Sequence, residues 1–240
     1  MVIIMGRKFE VRKQAMMKSG LHKSKLYSRY GKEIYMCARN GGTNVDANVS
    51  LKRLIERAKK EQVPMDVIQR NIDKAEGGSA DSYTKERYEG FGPSGSAFII
   101  DTLTDNVNRT VGEVRNCFTK IGSKMGVKGS VEHMFEHLAL IQVKNSDAET
   151  VLEHLLEADI DVTDIEEDDG VHITAEGYAQ DKIEHAISTL ENAEIEHSES
   201  GWYPHEKVRL DADSKVLFEK FMRLINDLDD VQNVYHNVEE

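Results

Sequence analysis

Apolar residues recur at helical spacing through the first third of the chain. From Lys23 to Asn40, Leu26, Tyr30, Ile34 and Ala38 stand at four-residue steps, and Gly41-Gly42 follows as a stop. Leu51, Leu54, Ile55 and Ala58 form a second stripe that ends before Pro64, and a third opens with Pro64 in its first turn, carries Val67, Ile68, Ile72 and Ala75, and stops at Gly77-Gly78. The pattern predicts a small three-helix unit. It is preceded by an arm, residues 6–22, with little apolar periodicity.

Beyond residue 82 the period changes to short β-like runs alternating with helical stretches. Ser96–Leu103, Ser130–Phe135, Leu138–Val143, Asp161–Ile165, Val171–Ala175, Ile195–Ser198, Val208–Leu210 and Val231–Tyr235 read as strands. Asn108–Ile121, Ser146–Ala158 (Ser146 as N-cap), Ala179–Leu190 and Asp213–Leu228 read as helices. Asp168-Asp169-Gly170 supplies the turn chemistry of a hairpin. Residues 138–200 therefore read β-α-β-β-α-β, a ferredoxin-like order, and the segments on either side combine into a second such unit with the first inserted in its middle.

The resulting fold class is α+β: a helical N-terminal three-helix domain followed by two ferredoxin-like α+β domains, one inserted in the other. The boundaries are 1–80 for the arm and helices, 81–136 with 205–240 for the discontinuous domain, and 137–204 for the insert.

Charge divides along the same lines. Residues 1–76 carry 17 Lys+Arg against 8 Asp+Glu, while residues 77–240 carry 14 against 35, a split hidden by the whole-chain value of −12. Within residues 7–39 there are 10 cations and 2 carboxylates, whereas 147–206 hold 19 carboxylates and one Lys. Affinity for phosphate follows local cation density rather than total charge, so the basic end is the expected polyanion-facing surface and the acidic insert is expected to stay away from it. The candidate nucleic-acid-binding residues are Arg7, Lys8, Arg12, Lys13, Lys23, Lys25, Arg29, Lys32 and Arg39, with Arg109 added because a cation near a helix N-terminus opposes the dipole and invites a further role. Tyr27, Tyr30 and Tyr35 interleave with the first group, where rings either stack on bases or pack in a core.

Other chemistry is thin. No run approaches the roughly 18 apolar residues of a membrane span, so no membrane partner is expected. Cys37 and Cys117 stand far apart without a partnering motif, which suits a reduced, cytoplasmic setting. Gly90-Phe91-Gly92-Pro93-Ser94-Gly95 matches G-x-G-x-x-G, but a β-run follows it instead of a helix, so it reads as a tight turn. His133 and His137 stand four apart without a third ligand in reach. No catalytic residue, metal site or cofactor is expected, and the sequence leaves the oligomeric state open, a monomer among the options.

At this level the chain resembles the YebC/PmpR family, which includes a mitochondrial translational activator of cytochrome oxidase subunit I. The residues that carry the resemblance are Gly41-Gly42 through Asp46-Ala47-Asn48, Tyr88 to Gly95, Thr104 to Thr110 with Glu113-Val114-Arg115, and Gly129-Ser130-Val131 before Met134-Phe135. The opening Gly6-Arg7-Lys8-Phe9-Glu10 resembles a second subgroup rather than the commoner Ala-Gly-His-Ser-Lys-Trp start. The resemblance implies a helical domain followed by two α+β domains and no catalytic activity. It also implies a role in gene expression, either as a DNA-binding transcriptional regulator or as a ribosome-associated factor contacting ribosomal RNA. A third reading makes the acidic insert an adaptor for a basic protein surface.

Overall fold

The computed structural model of the chain describes residues 23–77 and 83–239, with Lys23 and Ser24 described by their backbone alone. Three helices open it: α1 (Lys23–Gly41), α2 (Val49–Lys60) and α3 (Met65–Glu76). Tyr30, Ile34, Ala38, Leu51, Ile55, Ala58, Ile68 and Ile72 close a common core, the positions that the apolar stripes mark. Asn48 joins the first two helices. Its side-chain oxygen accepts from Leu51 N at 3.0 Å as the cap of α2, and its amide donates to the carbonyls of Cys37 and Gly42 at 3.2 and 2.9 Å. One side chain thus satisfies an orphan N–H at one helix start and carbonyls at the preceding helix end. A Cβ on Gly41 would lie 2.6 Å from that amide nitrogen, so the glycine lets Asn48 close in.

The chain then enters an antiparallel sheet. Strands β1 (Thr84–Phe91) and β2 (Ala97–Thr104) form its central hairpin, β3 (Lys124–Met125) lies outside β1, and the last strand, β8 (Val231–His236), lies outside β2. Helix α4 (Val107–Thr119) follows β2, and α7 (Ala212–Asn226) precedes β8. Both pack on the sheet through a cluster in which Phe221 meets Phe98 and Phe118 with ring centroids 4.6 Å away in each case. The three helices and this sheet make up one compact unit, residues 23–136 with Pro204–Glu239.

His137–Tyr203 make up the other unit. It runs β4 (Phe135–Lys144), α5 (Ala148–Glu157), β5 (Asp164–Glu167), β6 (Val171–Glu176), α6 (Gln180–Thr189) and β7 (Glu194–Pro204), with sheet order β5-β6-β4-β7. That is the β-α-β-β-α-β order read from the pattern. The β5–β6 turn places both Asp169 (φ 45°) and Gly170 (φ 110°) in the left-handed region, as a short hairpin requires.

Four local expectations are corrected. Thr84–Phe91 was not foreseen as a strand, because its Thr-Lys-Glu-Arg start shows no apolar alternation; it is held between β2 and β3 by tertiary pairing, Tyr88 opposite Ile100 and Gly90 opposite Met125. Ser130–Phe135 is not a strand: Glu132–Met134 is a single helical turn, and only Phe135 begins β4. The cap of α5 is Asp147, whose carboxylate accepts from Thr150 N at 2.9 Å, rather than Ser146. Val208–Leu210 contributes one isolated bridge, Val208 to Val238.

The G-x-G-x-x-G segment is the β1–β2 turn, with one helical turn at Pro93–Gly95. A Cβ on Gly92 would meet the Phe98 ring and stand 2.7 Å from Ser96 Oγ. Gly92→Ala is therefore expected to lower stability by about 1–3 kcal/mol, the usual range for overpacking. Denaturant unfolding at a stable slope measures it, and an unchanged midpoint would refute the close-packing account.

Candidate nucleic-acid interface

Three cations of α1 are engaged within their own unit. Lys25, Arg29 and Lys32 sit at i, i+4 and i+7 and so share one helix face. That face meets the turn between α7 and β8, a run of carboxylates at Asp227, Asp229 and Asp230. Lys25 Nζ donates to the Asp227 carbonyl and carboxylate at 2.6 and 2.8 Å, and Arg29 donates to the Gln232 carbonyl at 3.2 Å. Lys32 Nζ reaches the carbonyls of Leu103 and Asp229 and the Asp230 carboxylate at 3.2, 3.0 and 2.7 Å. An ammonium has three N–H donors, and all three are used.

Asp230 is the hub of this arrangement, with only 4% of its side chain exposed. Besides Lys32, it is met by Arg109 at 2.6 Å, Thr110 Oγ1 at 2.8 Å and Thr104 Oγ1 at 3.0 Å. Arg109 also pairs with Asp105 at 2.8 Å, and Asn106 caps α4 by accepting from Arg109 N at 3.1 Å. The Thr104–Thr110 motif is thereby explained as the receptor for one buried carboxylate. Burial by itself would raise the pKa of Asp230, but the hydrogen bonds from Lys32, Arg109 and Thr110 outweigh it and hold the carboxyl well below its ordinary range. Hydrogen bonds to Asp230 first, and then to Asp105, push the Arg109 guanidinium upward. Two carboxylates thus offset the unfavourable position of Arg109 at its helix N-terminus.

A cleft of about 470 Å³ lies beside the hub, lined among others by Lys32, Tyr83, Asp105, Arg109, Glu113 and Asp229. Its carboxylates outnumber its cations, and both cations are already paired, so a phosphate would meet repulsion there. Among the described residues no cluster of three or more His, Cys, Asp or Glu is arranged to hold a metal ion. His133 lies in the helical turn before β4 and His137 within that strand, so the two do not share a helix face, and His137 stacks on Trp202 at 4.8 Å. Cys117 is buried, which pushes its thiol pKa up, away from a reactive thiolate. No helix of the described residues is long and apolar enough to cross a membrane.

Of the other candidates, Arg39 is exposed near the end of α1, with Nη1 2.8 Å from Tyr35 Oη. Arg7, Lys8, Arg12 and Lys13, and the side chain of Lys23, lie outside the described residues. Tyr30 and Tyr35 are buried core residues, so their rings are not open to stacking on bases, while Tyr27, half-buried, packs against that core. Beyond these candidates, α2 carries five cations and one carboxylate. Its Lys52, Lys59 and Lys60 are exposed, and none pairs with another described residue. Lys52 and Lys59, seven apart, share a face. Their density was visible in the sequence, but their freedom from partners was not.

The architecture is thus a three-helix bundle with an antiparallel sheet in one unit, and a β-α-β-β-α-β unit inserted between two parts of that unit in the chain. Residues 7–78 match the TACO1/YebC protein N-terminal domain, and residues 83–238 match the TACO1/YebC second and third domain. The chain belongs to the TACO1/YebC family. A protein of Alteromonas mediterranea is 49% identical over 235 residues, covering 97% of this chain and 98% of its own length, and is named a probable transcriptional regulatory protein. One from Vibrio parahaemolyticus with the same description is 49% identical over 237 residues, 98% and 100% of the two chains. The crystal structure of a conserved hypothetical protein from Aquifex aeolicus matches with a TM-score of 0.67 at 33% identity over 90% of each chain.

Proposed function

We propose that the protein is a non-enzymatic, DNA-binding regulator of transcription that holds the phosphate backbone through its basic N-terminal domain. The observation that carries this is the likeness, over almost the whole chain, to relatives named probable transcriptional regulatory proteins. The cation excess of residues 1–76 supports it. The phosphate contacts fall to Arg7, Lys8, Arg12, Lys13, Lys23 and Arg39, joined by Lys52, Lys59 and Lys60. Lys25, Arg29, Lys32 and Arg109 act one step back, holding α1 on the sheet domain so that its outer surface keeps a defined direction.

Contacts of this kind read little sequence and depend strongly on salt. Substituting Lys52, Lys59 and Lys60 together by Ala is expected to make the plot of log affinity against log salt shallower by about 2–3, at roughly 0.9 per phosphate contact on duplex DNA. Fluorescence anisotropy of a labelled duplex across a salt series measures this. Absence of binding by the unsubstituted protein at low salt would overturn the proposal, and comigration with ribosomes in its place would favour the translation-factor reading.

A further inference from the structure

The acidic two-thirds of the chain contain one stretch of opposite sign. Residues 114–131 carry Arg115, Lys120, Lys124 and Lys128 and no carboxylate, within a region that holds 14 cations against 35 carboxylates. All four side chains are exposed, and none is ion-paired with another described residue. Unlike Lys25, Lys32 and Arg109, these cations are free to meet an external anion. A fifth joins them, because Lys220 on α7 donates to the Lys120 carbonyl at 2.8 Å.

The loop that carries Lys128 is built rather than slack. Glu89 on β1 is 1% exposed, and its carboxylate accepts from the backbone N–H groups of Gly129, Val131 and Glu132 at 2.7, 2.8 and 3.1 Å. Its backbone carbonyl accepts from Gly126 N at 2.7 Å. Ser130 N closes a turn on the Val127 carbonyl at 3.1 Å, with Lys128 and Gly129 at the corners and Gly129 at φ 83°. The amides point inward at Glu89, which leaves Val127 and Lys128 projecting outward. Val127 is 77% exposed, an apolar side chain left open at the edge of a charged turn.

We infer that this loop, with the C-terminal end of α4, is a second duplex-DNA contact: Lys120, Lys124 and Lys128 neutralise backbone phosphates, and Val127 packs against the groove wall between them. The inference rests on the DNA-binding reading above and assigns it a second surface, in the sheet domain. A preorganised loop loses little conformational freedom on docking, so its few contacts translate into affinity more fully than those of a mobile one. The local positive potential persists in an acidic protein because the cations have no internal partners.

The test is a salt series on the full chain with a labelled DNA duplex. In the triple variant Lys120→Ala, Lys124→Ala, Lys128→Ala the salt slope is expected to be shallower by about 2–3. In Val127→Ala the slope stays and affinity falls about four- to fifteenfold, the scale of one to two methylene-sized groups returned to water. Acetylation of the unsubstituted protein gives an independent reading: Lys120, Lys124 and Lys128 should be protected by the duplex. An unchanged slope in the triple variant, or unchanged lysine reactivity, would sink this surface while leaving the N-terminal interface intact. Failure of the unsubstituted protein to bind the duplex would sink the DNA-binding reading itself.

Discussion

Replacing Asp230 by Asn is expected to lower the unfolding free energy by about 3–5 kcal/mol, the range for removing one partner from a buried ion pair. The replacement keeps the side-chain volume, so the loss is electrostatic rather than a cavity effect. Lys32 and Arg109 would keep only their outer contacts, to the carbonyls of Leu103 and Asp229 and to Asp105. One amide oxygen cannot serve Lys32, Arg109 and the two threonines that converge on the carboxylate. The pH dependence follows from the sign of the shift. The folded-state pKa of Asp230 lies below its unfolded value, so its stabilisation is complete above about pH 5 and is lost progressively as pH falls below about 4. The stability gap between unsubstituted protein and variant, read from urea midpoints, should narrow from pH 7 to pH 3. A gap of constant size would refute the hub.

Glu89→Ala is the second large effect. It leaves three backbone N–H groups without their acceptor, each worth about 1–3 kcal/mol when buried and unsatisfied. The loop can open partly to water, so the total is expected near 3–5 kcal/mol rather than the full sum. Glu89→Gln should cost about half as much, because one oxygen still accepts while the new amide turns donors toward donors. Hydrogen exchange at Gly129 and Val131 should accelerate in both variants, the Ala variant more. Unaltered exchange there would show that the loop is held by something other than this carboxylate. The effect reaches function too, because a loosened loop should weaken the Val127 and Lys128 contacts inferred above.

Much of the fold was legible. The stripes Leu26–Ala38, Leu51–Ala58 and Val67–Ala75 identify the buried faces of α1 to α3, because a helix must bury one face and the period states which. Asp168-Asp169-Gly170 announces its hairpin through residues that tolerate positive φ. Strand β1 was not legible, since its ordering comes from neighbours on both sides. The candidate interface was legible only as charge. That residues 7–39 are basic follows from composition, but Lys25 and Lys32 find their partners 202 and 198 residues away, and no local pattern encodes that pairing. Glu89 shows the same limit: in the sequence it is one acidic residue before a glycine turn, and in the fold it holds a loop 40 residues further on.

By itself the sequence determined the helices, most of the strands, the Asp168-Asp169-Gly170 turn, the division of charge and the family, because these depend on residue spacing, side-chain chemistry and similarity along the chain. The tertiary structure alone decided which cations remain free. Opposite charges brought together by folding neutralise one another at close range, whereas among the described residues Lys52, Lys59 and Lys60 on α2 and Arg115, Lys120, Lys124 and Lys128 around the Glu89 loop have no ion-pair partner and can meet a phosphate without first breaking an internal salt bridge.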